Sequence, residues 1–183
     1  MLFAAHSKPA ALEMNMVKNS PFFSCSLKNE ADTARLAQAL ASVAKAGDLI
    51  ALFGDLGAGK STFARSFIRS AFGDPLVEVP SPTFTLVQSY EPPQGPDILH
   101  ADLYRLSGPE DVEDLGLEDE RTLSILLIEW PDRLPDEWQT DMLAIEFLTG
   151  EAETSRIVNL RSGSAIWPQR LLAALEHAFE GLE

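Results

Sequence analysis

Cysteine is almost missing from this chain: Cys25 is the only one in 183 residues. A single thiol excludes an internal disulfide framework and leaves no basis for a cysteine-rich zinc site, so a reducing, cytoplasmic setting is the expectation. Histidine is scarce too, and His6, His100 and His177 stand far apart without metal-ligand spacing. Positive charge is short: 14 Lys and Arg face 28 Asp and Glu, for a formal charge of −14. Affinity for nucleic-acid backbones comes from Lys and Arg displacing counterions, so a broad phosphate-tracking surface is excluded, while a local site for one anion is not. No apolar run approaches the roughly 18 residues of a membrane span. Met1–Ser20 is mildly apolar but broken by Lys8 and Pro9. It lacks a basic start before a continuous apolar stretch, so it does not read as a signal peptide. It is expected to be a flexible extension (residues 1–20) on one domain (21–183).

What is present is ordinary for a globular fold: 45% hydrophobic and 23% charged residues, near the averages for folded domains and in a chain long enough to bury a core. Phe22–Leu27 reads as a short strand and Asn29–Ala46 as an amphipathic helix ending at Gly47. Leu49–Phe53 is a continuous apolar run of strand length, the pattern of a strand buried on both faces. Helix is expected over Ser61–Phe72, strand over Phe84–Tyr90 and Ile98–Ala101, and a short acidic helix over Pro109–Leu115. Ser124–Ile128 is a second fully apolar strand ending at Glu129. Met142–Leu148 and Ile157–Leu160 read as paired strands, and Ile166–Phe179 as a closing helix. No internal repeat or domain linker is visible. The order suggests an α/β sandwich whose mainly parallel, mixed sheet carries an antiparallel extension.

Between the first buried strand and its helix lies Gly54-Asp-Leu-Gly-Ala-Gly-Lys60-Ser61, which matches G-x-x-x-x-G-K-[ST]. Glycines at 54, 57 and 59 let the backbone turn tightly and aim N–H groups at phosphate oxygens. Lys60 then reaches the terminal phosphates, the Ser61 hydroxyl can ligate Mg²⁺, and the helix directs its positive end at the same anion. The strand–loop–helix context is what separates this pattern from a chance glycine-rich turn. The candidate nucleotide-binding residues are Asp55, Leu56, Gly57, Ala58, Gly59, Lys60, Ser61 and Thr62. Neither N-K-x-D nor D-x-x-G occurs anywhere in the chain, so GTP is disfavoured and adenine nucleotide is the choice by elimination.

Phosphoryl transfer on such a loop needs an acid at the end of an apolar strand. Glu129, after Ile125-Leu-Leu-Ile128, supplies one, and Asp102, after Ile98–Ala101, is its rival. Either can hold Mg²⁺, directly or through water, while the other orients the attacking water; the residue pattern leaves both assignments open. Ser81-Pro82-Thr83-Phe84 taken alone reads as a proline turn rather than a nucleotide-sensing loop.

Together with His100-Ala-Asp102-Leu-Tyr104-Arg105 and Glu129-Trp130-Pro131, these segments resemble the bacterial TsaE (YjeE) family in order and approximate spacing, from about Phe22 to about Phe179. The resemblance implies a P-loop, three-layer α/β fold, with ATP and Mg²⁺ as ligands. It also implies a role as the ATPase component of tRNA threonylcarbamoyladenosine formation, working with TsaB and TsaD and meeting tRNA only indirectly. Carried over by position, Lys60 contacts phosphates, Ser61 and Glu129 form the metal shell, and Asp102 is the catalytic or switch acid. Trp130 lies beside the nucleotide, and Thr33 near its base. Ser61 replaces the family's more usual threonine and keeps the ligating oxygen. Two other readings use the same loop: a small-molecule kinase, for which no arginine-rich lid segment is visible, and a nucleotide-gated binding module in which hydrolysis is incidental.

Overall fold

A computed structural model describes residues 20–180. The extension expected over residues 1–20 lies outside the described residues except for its last one.

Seven strands form one sheet: β1 (Phe23–Leu27), β2 (Leu49–Phe53), β3 (Val87–Tyr90), β4 (Ile98–Asp102), β5 (Ile125–Glu129), β6 (Leu143–Thr149) and β7 (Arg156–Arg161). Their spatial order is β1-β7-β6-β2-β5-β4-β3. The inner four, β6, β2, β5 and β4, run parallel. The expected antiparallel extension is present, and at both edges: β7 and β1 beyond β6, and β3 beyond β4. Every residue of β2, β4 and β5 is buried, as a sheet covered on both faces requires.

Side chains alternate along each strand, and here the alternation sorts the core into two layers. Ile50, Leu52, Ile98, Ile125 and Leu127 face helices α1 (Glu30–Ala41), α2 (Lys60–Phe72) and α5 (Ile166–Phe179), where Phe63, Phe67 and Leu171 are fully buried. Leu49, Ala51, Phe53, Leu126 and Ile128 face the other way. That side is closed by short elements: α3 (Pro109–Glu113), α4 (Leu117–Glu120) and 3₁₀ turns at Pro131–Arg133 and Asp136–Gln139. Val112 and Leu117 plug this layer while the acids around them stay outside.

Two boundaries differ from expectation by more than two residues. Helix α1 stops at Ala41 rather than Ala46, because the Ser42 hydroxyl turns back onto Ala39 O (2.8 Å) and the Asp48 carboxylate captures the Lys45 N–H (2.7 Å). Residues 42–47 therefore form a turn into β2, with Gly47 at φ 87°. The strand expected from Phe84 begins only at Val87, since Leu86 adopts φ 65° and its N–H closes onto Pro82 O. A left-handed leucine cannot continue a strand.

Candidate functional site

The chain treats the starts of its two longest early helices differently. Asn29 caps α1, accepting from Asp32 N at 3.1 Å, and Glu30 and Asp32 add negative charge to its first turn. Helix α2 has Gly59 at its cap, no side-chain cap bond and no acid in its first turn. Its N-terminal N–H groups and the positive end of its dipole are left for an external anion. The loop reaches this geometry through left-handed glycines, with Gly59 at φ 112° and Gly54 at φ 139°.

Gly54 is constrained twice, since a Cβ there would lie 2.7 Å from the backbone oxygen of Phe147 on β6. Gly54→Ala is therefore expected to cost about 1–3 kcal/mol, a fall in thermal midpoint of roughly 2–12 °C for a chain of this size. Gly57→Ala, whose Cβ would meet open space, should fall less; differential scanning calorimetry on both variants checks the contrast.

Lys60 is 4% exposed. Its ammonium donates to Gly54 O (2.7 Å) and Asp55 O (2.9 Å) and lies 3.9 Å from the centroid of the Trp130 ring. Burial lowers its pKa from the ordinary 10.5, although Glu129, Asp102, Asp55 and Asp132 pull it upward. A desolvated ammonium among loop carbonyls is strongly attracted to any phosphate that enters.

The two candidate acids close parallel neighbours: Asp102 at the end of β4 is the register partner of Glu129 at the end of β5. Both lie at the carboxyl ends of parallel strands, the edge at which open α/β sheets bind ligands. Both are buried, at 4% and 2% exposure, yet their partners differ. Glu129 accepts from Ser61 Oγ through Oε2 (2.8 Å) and pairs with His100 Nε2 through Oε1 (3.0 Å). Asp102 accepts from Thr83 Oγ1 through Oδ2 (2.8 Å) and from the Tyr104 N–H through Oδ1 (3.0 Å), while Ser81 and Thr83 share a hydroxyl contact of 2.8 Å. The 81–84 segment, which alone reads as a turn, is a turn, and one tied to an acid of the site. Phe84, its last residue, is 85% exposed, with the Arg105 guanidinium 5.4 Å from its ring centroid.

Trp130 has φ 57°, uncommon for an aromatic residue. This turns its ring onto Lys60 and toward Tyr104, with ring centroids 4.9 Å apart.

The structure thus brings Lys60, Ser61, Asp102, Glu129 and Trp130 together around the loop Asp55, Leu56, Gly57, Ala58 and Gly59, with Leu56 85% exposed on it. Thr62 sits in the first turn of α2 and its carbonyl accepts from Ser66 Oγ. Thr33 lies in the first turn of α1, buried, with its N–H on Asn29 O. No hydrogen bond among the described residues joins Thr33 to the loop. Sequence reasoning used His100 only as the first residue of the His100–Arg105 segment and gave it no site role, although it lies two residues before Asp102 and so on the same strand face. Nor did it single out Arg156, whose Nε and Nη2 donate to Ala58 O (2.9 Å) and Gly57 O (3.1 Å).

Ser61 Oγ and Glu129 offer hard oxygen donors suited to Mg²⁺. Among the described residues no cluster of three or more His, Cys, Asp or Glu forms a metal cage. This donor set fits an ion that keeps waters and shares a ligand's phosphates.

Known proteins resemble this chain over most of its length. The family model described as "Threonylcarbamoyl adenosine biosynthesis protein TsaE" matches residues 27–158. A Rickettsia felis protein named tRNA threonylcarbamoyladenosine biosynthesis protein TsaE is 42% identical over 106 residues, covering 58% of this chain and 61% of its own length. The chain thus spans less than two thirds of that relative. An Aquifex aeolicus protein of the same name is 37% identical over 131 residues, covering 72% of this chain and 92% of its own. The crystal structure of Bacillus subtilis YdiB superposes with a TM-score of 0.61 at 25% identity, covering 85% of this chain and 93% of that one. Motifs, fold and matched length lead to one conclusion: the chain belongs to the TsaE family.

Proposed function

We propose that this protein is an ATPase of tRNA threonylcarbamoyladenosine formation, hydrolysing ATP with Mg²⁺ in complex with TsaB and TsaD. The observation that carries the reading is the Ser61–Glu129 contact of 2.8 Å beside an uncapped, glycine-entered helix. It joins a metal-ligating hydroxyl, a buried acid and a phosphate cradle. Ser61 and Glu129 would hold Mg²⁺, which when bound supplies charge neutralisation on the transferring phosphoryl group. Lys60 exchanges its bonds to Gly54 and Asp55 for the terminal phosphates. Asp102, held by Thr83 and Tyr104, is assigned to position the attacking water, because Glu129 is the acid that meets the Ser61 hydroxyl and so stands at the metal. Water attacks the γ-phosphorus in line, the bond to the β-phosphate oxygen breaks, and ADP and phosphate leave. Thr33 contributes at the base end.

The Arg105 guanidinium lies 5.4 Å from the Phe84 ring centroid, and neither Arg105 nor Arg65 is assigned to the γ-phosphate in this reading. Hydrolysis by the isolated chain is accordingly expected to be slow and to accelerate when TsaB and TsaD complete the site. Phosphate release should be followed with and without those partners, alongside tRNA modification. Full-rate turnover by the lone chain, unchanged by the partners, would overturn the reading. Labelled ATP with a metabolite pool checks the kinase alternative, which requires label in a metabolite rather than in inorganic phosphate alone. The charge of −14 accords with partners, rather than this chain, gripping the tRNA.

A further inference from the structure

We propose that Arg156 is a positioning residue for the phosphate loop: it holds the Gly57 and Ala58 carbonyls so that the loop's amides stay aimed at phosphate. The inference rests on the nucleotide reading above and adds a residue far from the motif.

Arg156 opens β7, where it pairs with Leu27 of β1 and Thr149 of β6. Its guanidinium donates to four carbonyls. Nε donates to Ala58 O (2.9 Å), Nη2 to Gly57 O (3.1 Å), and Nη1 to the carbonyls of Glu153 and Ser155 (both 2.7 Å). The last two bonds anchor the fork on its own hairpin, so its other edge is presented to the loop in one orientation. Thr154 of the same hairpin donates to Lys28 O (3.3 Å), tying in the chain that enters α1.

The consequence follows from peptide geometry. In a trans peptide the C=O of one residue and the N–H of the next point in opposite directions. Holding Ala58 O on Arg156 therefore points the Gly59 N–H away from the arginine. The Gly57–Ala58 peptide is fixed at both ends, because the Ala58 N–H also closes onto Asp55 O at 3.1 Å. This loop needs such a hold, since Gly57 and Gly59 at φ 77° and 112° have no side chains to restrict rotation. Lys60 cannot provide it throughout, because its ammonium holds Gly54 and Asp55 only until it turns to phosphates. Arg156 binds different carbonyls from a different strand, so its bonds do not compete with the ligand. A lysine offers one point charge in place of the planar fork and cannot reproduce this grip.

Two measurements on the full chain test the proposal. Calorimetric titration with adenylyl imidodiphosphate and Mg²⁺ should show Arg156→Ala raising Kd about tenfold and Arg156→Lys recovering little of the loss. Arg170→Ala, which loses a pairing to Asp48 before β2, should bind like the wild type. In turnover the loss should fall on KM, with kcat within about twofold. Hydrogen–deuterium exchange, without nucleotide, should show the Asp55–Ser61 segment exchanging faster in Arg156→Ala. Unchanged exchange overturns the proposal, as does faster exchange with wild-type Kd, or a loss confined to kcat. If Arg156→Ala does not fold, Arg156→Lys carries the test, and wild-type Kd and exchange in it overturn the proposal. If the wild type itself does not bind the nucleotide, the ATPase reading fails, and the exchange experiment still decides whether Arg156 holds the loop.

Discussion

Replacing Lys60 with alanine is expected to lower kcat/KM for ATP hydrolysis about 10²- to 10³-fold, a loss of roughly 2.7–4 kcal/mol of transition-state stabilisation. The size follows from where the charge sits. Lys60 is 4% exposed and held by two loop carbonyls and the face of Trp130, so it meets developing phosphate charge with little water between them. The fold carries this ammonium at a cost, which burial expresses by lowering its pKa below 10.5. The sign is definite. Between the folded pKa and 10.5 the unfolded chain binds more protons, so stability rises with pH across that window, and below it the charge weighs against folding. On the proposed reading, a bound phosphate would offset that cost. Phosphate release checks the rate, and Lys60→Met, which keeps the aliphatic stem, separates loss of charge from loss of packing. Near-normal hydrolysis by folded Lys60→Ala would remove Lys60 from the mechanism.

How much of this was legible in the chain depends on whether the determinants are local. The phosphate loop was, because its chemistry demands glycines, a lysine and a hydroxyl in consecutive order between a buried strand and a helix. The parallel centre was legible for a similar reason: Leu49–Phe53 and Ile125–Ile128 have no polar face, and a strand without one must be covered twice. The segment around Phe84 was not. Its β-prone side chains suggest a strand, but Leu86 receives the Asp102 N–H at 2.9 Å and gives its own N–H to Pro82, a turn decided by a strand end sixteen residues on. The end of α1 was lost in the same way, to Ser42 and Asp48 competing for backbone groups. The preference between Asp102 and Glu129 rests on which one the Ser61 hydroxyl meets across 68 residues. Arg156, separated from the loop by 98 residues, needed the hairpin register before it could be seen.

Glu129→Gln is expected to separate nucleotide binding from turnover. Glutamine keeps the volume and one acceptor of a side chain that is 2% exposed and bonded on both oxygens, to Ser61 and to His100. It removes the negative charge that favours a metal ion and exposes His100 to an amide that can present an N–H in place of an acceptor. Perturbing such a metal-site partner typically costs about 10–100-fold in metal affinity or activity. Mg²⁺-dependent hydrolysis should therefore fall by about 10²-fold, while nucleotide affinity, carried by the loop amides and Lys60, changes less than about tenfold. The Mg²⁺ concentration needed for half-maximal rate should rise, because the loss acts through the ion. Asp102→Asn makes the contrast: its partners are Thr83 and the Tyr104 amide, so it should lower kcat without moving the Mg²⁺ dependence. A further variant at Glu129 decides whether hydrolysis is needed at all. If Glu129→Ala, binding nucleotide but not hydrolysing it, still supports threonylcarbamoylation in a reconstituted system, then ATP acts here as a gate, and the carboxylate beside Ser61 orders the site rather than driving chemistry.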